Sequence, residues 1–343
     1  MAATEFDCLP TIIGSMPHTD PQEASSLITE HLKDIPVWPQ LPRRSFREHM
    51  CVQYSEGFPG VVVNMGDERI FVESSGDLAG PLEEFYTAYM ENNIDKYPTS
   101  ADYATGLYDL LNTANLSPQG VKGQITGPVT WGMTVTHQDR RAIIYDETFS
   151  DVVAKFLRLK ASWQEKELRR ISKNTLIFVD EPYMSAFGSV GCLLTREQII
   201  SLLEEVFQGL SGLKGIHCCG NTDWSILLET SADIISFDAY NYAPSLALYL
   251  TAVRGFLAKG GAIAWGIIPN NAEALAHETA ASLQDRLEEA MSPFTRHGVR
   301  HQDLITQGLL TPACGLALMA PGETEQVFEL LVNLSARIRK RYR

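Results

Sequence analysis

The chain has 343 residues and a formal charge of −14 at neutral pH, which argues against a nucleic-acid or anionic-membrane surface and leaves small molecules and proteins as partners. Its length suits two ordinary domains or one large α/β barrel. The cysteines Cys8, Cys51, Cys192, Cys218, Cys219 and Cys314 are too irregularly spaced for a disulfide frame, and with no leader-like start and no run long enough to span a bilayer they point to a cytoplasmic protein with free thiols.

Residues 9–16 form a short apolar run closed by Gly14, Ser15 and Pro17, a first strand. Asp20-Pro21-Gln22-Glu23 opens a helix with a cap, a proline and an early acid. Residues 38–44 hold two prolines and fit neither regular structure, so they read as a functional loop at the mouth of the site. Residues 58–65, with Val61-Val62-Val63, predict a second buried strand ending at Asp67 and Glu68. Helical periodicity covers much of 82–111, and 120–125 predict a third strand that runs into Thr126-Gly127-Pro128. A long amphipathic helix is expected over 150–171 and a fourth strand over 176–179, stopping at Asp180-Glu181-Pro182.

Thr195-Arg196-Glu197-Gln198 is a capping-box pattern that starts a helix to about residue 210. The fifth strand, around Gly215, ends in His217-Cys218-Cys219, and Asp223 or Thr222 caps the short helix that follows. Further strands are expected over 232–237, ending at Asp238, over 262–268, ending at Pro269-Asn270, and over 304–311, ending at Pro312-Ala313-Cys314. Helices are expected over 244–258, 272–291 and 323–340. Eight buried runs separated by helical sequence predict an α/β fold, a single (β/α)8 barrel filling residues 1–343. No Gly-x-Gly-x-x-Gly follows the first strand, which disfavours a doubly wound dinucleotide-binding sheet.

A barrel of this kind carries its active site at the carboxyl ends of its strands. Side chains alternate along a strand, so His217 and Cys219 share a face and Cys218 takes the other. With Cys314 from another strand they make a three-ligand set with an open position, the pattern of catalytic zinc, and Asp238 is placed to hold the fourth position until a substrate displaces it. Cys8, Cys51 and Cys192 read as inert buried thiols. His297 and His301 have helical metal-pair spacing but precede the eighth strand, which puts them on the opposite rim as surface residues.

His217-Cys218-Cys219-Gly220-Asn221-Thr222 resembles a segment of the methylcobalamin:thiol methyltransferases. Pro312-Ala313-Cys314-Gly315, Ile13-Gly14-Ser15-Met16-Pro17, Gly123 to Thr130 and Asp180-Glu181-Pro182 are similar to segments in the catalytic half of cobalamin-independent methionine synthase. The resemblance implies a uroporphyrinogen decarboxylase-like barrel in which His217, Cys219 and Cys314 hold zinc and zinc activates a thiol. The synthases carry Glu where this chain has Asp238. The resemblance further implies that Gly14 and Ser15 hold the homocysteine carboxylate, while Asp180 and Glu68 (or Asp67) hold its ammonium.

Paired acids suit an amine better than the sulfonate of coenzyme M. The chain is too short for the second barrel of the folate-using synthases, and it lacks their proton-donating His after the seventh strand. A methylcorrinoid donor, methylcobalamin or a methylated corrinoid protein, needs no such acid. The expected activity is therefore methyl transfer from a corrinoid to homocysteine, giving methionine. A methylcobalamin:coenzyme M methyltransferase and a non-catalytic zinc or corrinoid-binding accessory protein are the alternatives.

Overall fold

The computed structural model describes residues 5–74 and 76–342. Its strands are β1 (Leu9–Pro10), β2 (Val61–Asn64), β3 (Arg69–Val72), β4 (Val121–Thr126), β5 (Thr136–His137), β6 (Thr175–Asp180), β7 (Leu213–Cys218), β8 (Ile234–Phe237), β9 (Ala262–Ile268) and β10 (Gly308–Pro312). Seven of them form one curled sheet in the order β1-β10-β9-β8-β7-β6-β4, with every neighbouring pair parallel. Helices cover its outer face, which explains why these strands read as continuous apolar runs: they are buried on both sides. β4, β6, β9 and β10 are buried at every residue.

Leu9, Leu176, Phe178, Ile234, Ala264 and Leu309 pack together with Phe6 and Ile35 on the inner face. A much larger apolar cluster fills the space between sheet and helices. The helix Glu147–Leu168 is capped by Asp146, and Arg196–Phe207 starts with the expected capping box of Thr195 and Gln198. The helix Pro321–Tyr342 follows β10, and the Ser335 hydroxyl donates to the Cys8 carbonyl at 2.7 Å. No helix among the described residues is long and apolar enough to cross a membrane.

The expected second strand is displaced. β2 pairs antiparallel with β3, and β3 pairs with β5, in a separate three-stranded sheet. Its residues are only half-buried, and Asn64 folds the chain back by accepting from Gly66 N and Asp67 N at 3.0 and 3.1 Å, a local turn that the valine run obscured. The segment between β1 and β4 is instead residues 34–40. Asp34 and Pro36 carbonyls accept from Gly120 N and Lys122 N, and Gln40 exchanges backbone bonds with Gly14 and Met16. Two isolated bridges, Val37 to Lys122 and Ser15 to Gln40, join it to both edges of the seven-stranded sheet. Pro36 and Pro39 have no N–H to give, so the ladder is broken and no regular strand forms.

Side chains make up the difference. Trp38 and Leu41 are fully buried, so residues 38–41 are not an open loop. Trp38 Nε1 donates to Gln164 at 3.0 Å, Gln124 Nε2 donates to the Trp38 carbonyl at 3.2 Å, and Gln40 donates to Gln53 at 2.7 Å. Three further expectations shift. The helical stretch 82–111 is two helices, Ala79–Met90 and Thr105–Asn112; 272–291 divides into Ala272–Leu275 and Ala280–Arg296; and residues 301–306 form a short helix before β10.

Candidate active site

β7 runs in register between β6 and β8, pairing His217 with Asp180 on one side and Ser236 on the other. Strand alternation then turns His217 inward and buries Cys218 on the helix side. One residue past the strand, Cys219 faces the same way as His217, and Cys314 arrives from the loop after β10. One ligand atom from each of His217, Cys219 and Cys314 lies within 4.8 Å of the others.

His217 Nδ1 is 3.0 Å from the buried Ser236 hydroxyl, while Nε2 is buried with no hydrogen-bond partner. In the tautomer whose Nδ1–H donates to Ser236, the Nε2 lone pair is left for an electrophile. Cys314 lowers the Cys219 pKa to about 4, against burial and with help from His217. Cys219 and burial in turn push Cys314 well above an ordinary thiol. Two sulfurs gathered this closely suit a soft cation, which would bind them as thiolates with release of their protons. An orphaned imidazole nitrogen beside two sulfurs fits zinc, and three protein donors leave a position for substrate.

Asp238 is not part of this cluster. Its carboxylate accepts from Asn241 N and Nδ2 at 2.8 and 2.7 Å, capping the helix Ala239–Leu246. Burial raises its pKa against those bonds. Asp180 is buried at the end of β6, and its Oδ1 has no partner. Burial raises its carboxyl to about 6, with His217 and Lys122 pulling the other way. The adjacent Glu181 turns elsewhere, accepting from Val129 N, Thr130 N and the Thr130 hydroxyl at 2.9, 2.7 and 2.6 Å.

Gly14 sits at φ +143°, and a Cβ there would meet the Gln124 amide at 2.6 Å, so only glycine fits. Ser15 packs against Gly315, where a Cβ would strike its hydroxyl, and the Ser15 carbonyl accepts from Leu316 N at 2.8 Å. The Gly14–Ser15 turn is therefore attached to the Cys314 loop. Asp67 and Glu68 lie on the exposed β2–β3 turn, and Asp67 accepts from Asn64 Nδ2 at 2.7 Å. Glu68 lines a cleft of about 730 Å³ that also includes Ser15, Met50, Arg69, Arg140 and Ala317; Asp67 does not. His297 caps a helix end, and His301 packs on Tyr342 with ring centres 4.6 Å apart.

Sequence reasoning did not single out Ser236 or Lys122. The signal was a polar side chain at an inward position of an otherwise buried strand.

No protein-family model matches the chain, and no curated protein sequence matches it. Solved structures do resemble it. A B12-independent methionine synthase from Shewanella sp. W3-18-1, in complex with selenomethionine, is 16% identical with a TM-score of 0.61, over 97% of this chain and 98% of that one. A protein from Listeria monocytogenes assigned as a vitamin-B12-independent methionine synthase is 13% identical with a TM-score of 0.59, over 99% of both chains. A methyltransferase from Methanosarcina mazei is 12% identical with a TM-score of 0.53, over 95% of this chain and 87% of that one. At these identities the likeness establishes the fold: the chain has the α/β architecture of methionine synthase-like and methyltransferase proteins.

Proposed function

We propose that the protein is a zinc-dependent methyltransferase whose acceptor is the thiol of homocysteine and whose product is methionine. The observation that carries this reading is the convergence of the unpartnered His217 Nε2 with the sulfurs of Cys219 and Cys314. His217, Cys219 and Cys314 would hold the metal, with Asp238, whose oxygens also accept from Asn241, as the candidate for the fourth position. When bound, zinc supplies the positive charge that keeps an alkyl thiol deprotonated yet nucleophilic at neutral pH.

The chain's own groups do the rest. The open Oδ1 of Asp180 takes the amino acid's ammonium, and the Gly14–Ser15 turn takes its carboxylate, so the thiol is directed at the metal cluster. Glu68 belongs to the neighbouring cleft in this reading, where it faces the donor side, and Asp67 has no part. Residues 34–40 act as the eighth stave, which closes the sheet into a single (β/α)8 barrel spanning residues 1–343. Closure keeps water from the lumen side of the site.

For the donor, the reading is a methylcorrinoid, either methylcobalamin or a methylated corrinoid protein. Asn270, after β9, donates to the Gly315 carbonyl at 3.3 Å and offers no acid, and a departing corrinoid needs no proton. A corrinoid-independent donor is the second reading, favoured by the B12-independent chemistry named for the Shewanella and Listeria proteins.

The test is to mix zinc-loaded protein with methylcobalamin or methyltetrahydrofolate, and with homocysteine or coenzyme M. Homocysteine-dependent methionine formation with loss of the methylcobalamin spectrum is expected. Methionine from folate alone would favour the second reading, coenzyme M turnover alone would replace the acceptor, and zinc binding without turnover in any arm would overturn the enzyme assignment.

A further inference from the structure

Lys122 is fully buried on the inner face of β4, and the reaction outlined above gives it no task. Its Nζ donates to the Ile13 carbonyl at 2.7 Å and reaches Gln124 Oε1 at 3.4 Å. It also stands 4.4 Å from the centre of the Phe178 ring. Both polar partners belong to the amino-acid end of the site: Ile13 precedes the Gly14–Ser15 turn, and the Gln124 amide fills the space above Gly14. Phe178 lies one inward step before Asp180 on β6.

A carboxylate in a dry lumen with an unpaired oxygen is costly unless a cation offsets its charge. A cation in direct contact, however, would take the place of the incoming ammonium. Lys122 resolves both demands, because its protons go to Ile13 and Gln124 while its Nζ stands over Phe178, one inward step before Asp180 on the neighbouring strand, which places the charge near that carboxylate without a direct bond. The electrostatic attraction is mutual, since Asp180 opposes the burial that lowers the Lys122 pKa to about 8.

We propose that Lys122 is a positioning residue: its ammonium pins the Gly14–Ser15 turn through the Ile13 carbonyl and supplies the buried countercharge that keeps Asp180 open for the ammonium of an α-amino acid. This rests on the amino-acid reading of the site given above.

The experiment is a double-mutant cycle on zinc-loaded protein, with K122M, K122Q, D180N and the K122M/D180N double variant. It reads bound zinc, melting temperature, and L-methionine affinity by calorimetry. K122M is expected to keep its zinc and lose more than about tenfold in methionine affinity, and in the D180N background the same change should cost less than about threefold. The melting temperature should fall in D180N, where the lysine charge is stranded, and recover in the double variant. K122M binding methionine within about threefold of wild type, or lysine and aspartate effects that simply multiply, would overturn the proposal. If K122M does not fold, K122Q, which keeps a donor without the charge, and its D180N combination decide the same coupling. Wild-type protein that binds no methionine would count against the amino-acid reading, and the melting-temperature coupling would still decide whether Lys122 balances Asp180.

Discussion

Ser236→Ala isolates the anchor of the proposed zinc ligand His217. The hydroxyl is fully buried and 3.0 Å from Nδ1. Removing it deletes one oxygen, opens no sizeable cavity, and leaves the imidazole without the bond that fixes its tautomer and rotation. Losing such a partner behind a metal-bound histidine typically costs 10- to 100-fold in metal affinity, or about 1.4–2.7 kcal/mol. The assay is competition for zinc against a chromophoric chelator of known affinity at fixed pH, with the melting temperature of the metal-free protein as a folding control. Cys218→Ala is the matched comparison, because that thiol is buried on the opposite side of β7 with Sγ directed at the Gly220 carbonyl at 3.6 Å; it should leave zinc affinity unchanged. Equal affinity in S236A and wild type, or a larger loss in C218A than in S236A, would refute the claim that Nε2 binds zinc with Ser236 behind it.

Trp38→Ala should destabilise the fold by about 3–5 kcal/mol, the usual cost of emptying a buried indole site, and should raise amide exchange in residues 34–41 and at the β4 edge first; unchanged protection there would mean the segment does not hold the sheet closed. Lys160 is buried with its pKa lowered to about 7, chiefly by burial and against Glu56, and donates to the Pro98 carbonyl at 2.6 Å. Between pH 7 and pH 10 the unfolded chain then carries the proton that the folded chain lacks, so stability should rise with pH by up to about 1.4 kcal/mol per unit. Lys160→Met should flatten that rise in a series of thermal melts, and an identical slope in both proteins would contradict the assignment.

Much of the curled sheet was legible because its strands are short apolar runs with polar exits, and strand alternation alone separated Cys218 from His217 and Cys219. The gathering of Cys314 beside them needed only the expectation that strand exits share one rim. What failed did so for local reasons. Val61-Val62-Val63 reads as a core strand, but Asn64 turns the chain into a surface hairpin that puts Asp67 and Glu68 on its turn, with Glu68 still lining the cleft that includes Ser15. The true neighbour of β1 and β4 was hidden by Pro36 and Pro39, which remove the ladder bonds by which a strand is known, while its anchors, Gln40, Gln124 and Gln164, lie far apart in sequence. Asp238 reads equally well as a fourth zinc ligand and as a helix cap, because both roles suit a carboxylate at a strand exit; in the structure it accepts from Asn241 N and Nδ2.

The attachment of Ser15 to Gly315 has a consequence for how the protein is made. β1 finds its sheet partner only in β10, some three hundred residues later by register with Leu309 and Leu310, and the Cys314 loop is held by the same early segment. During synthesis the β6 and β7 side of the site can form while Ser15 still waits for its partner. A growing chain that stops short of β10 therefore offers His217 and Cys219 without the third donor. Under the proposed assignment, the full ligand set for zinc exists only after both ends of the chain have met, so capture would come late in the life of the nascent chain.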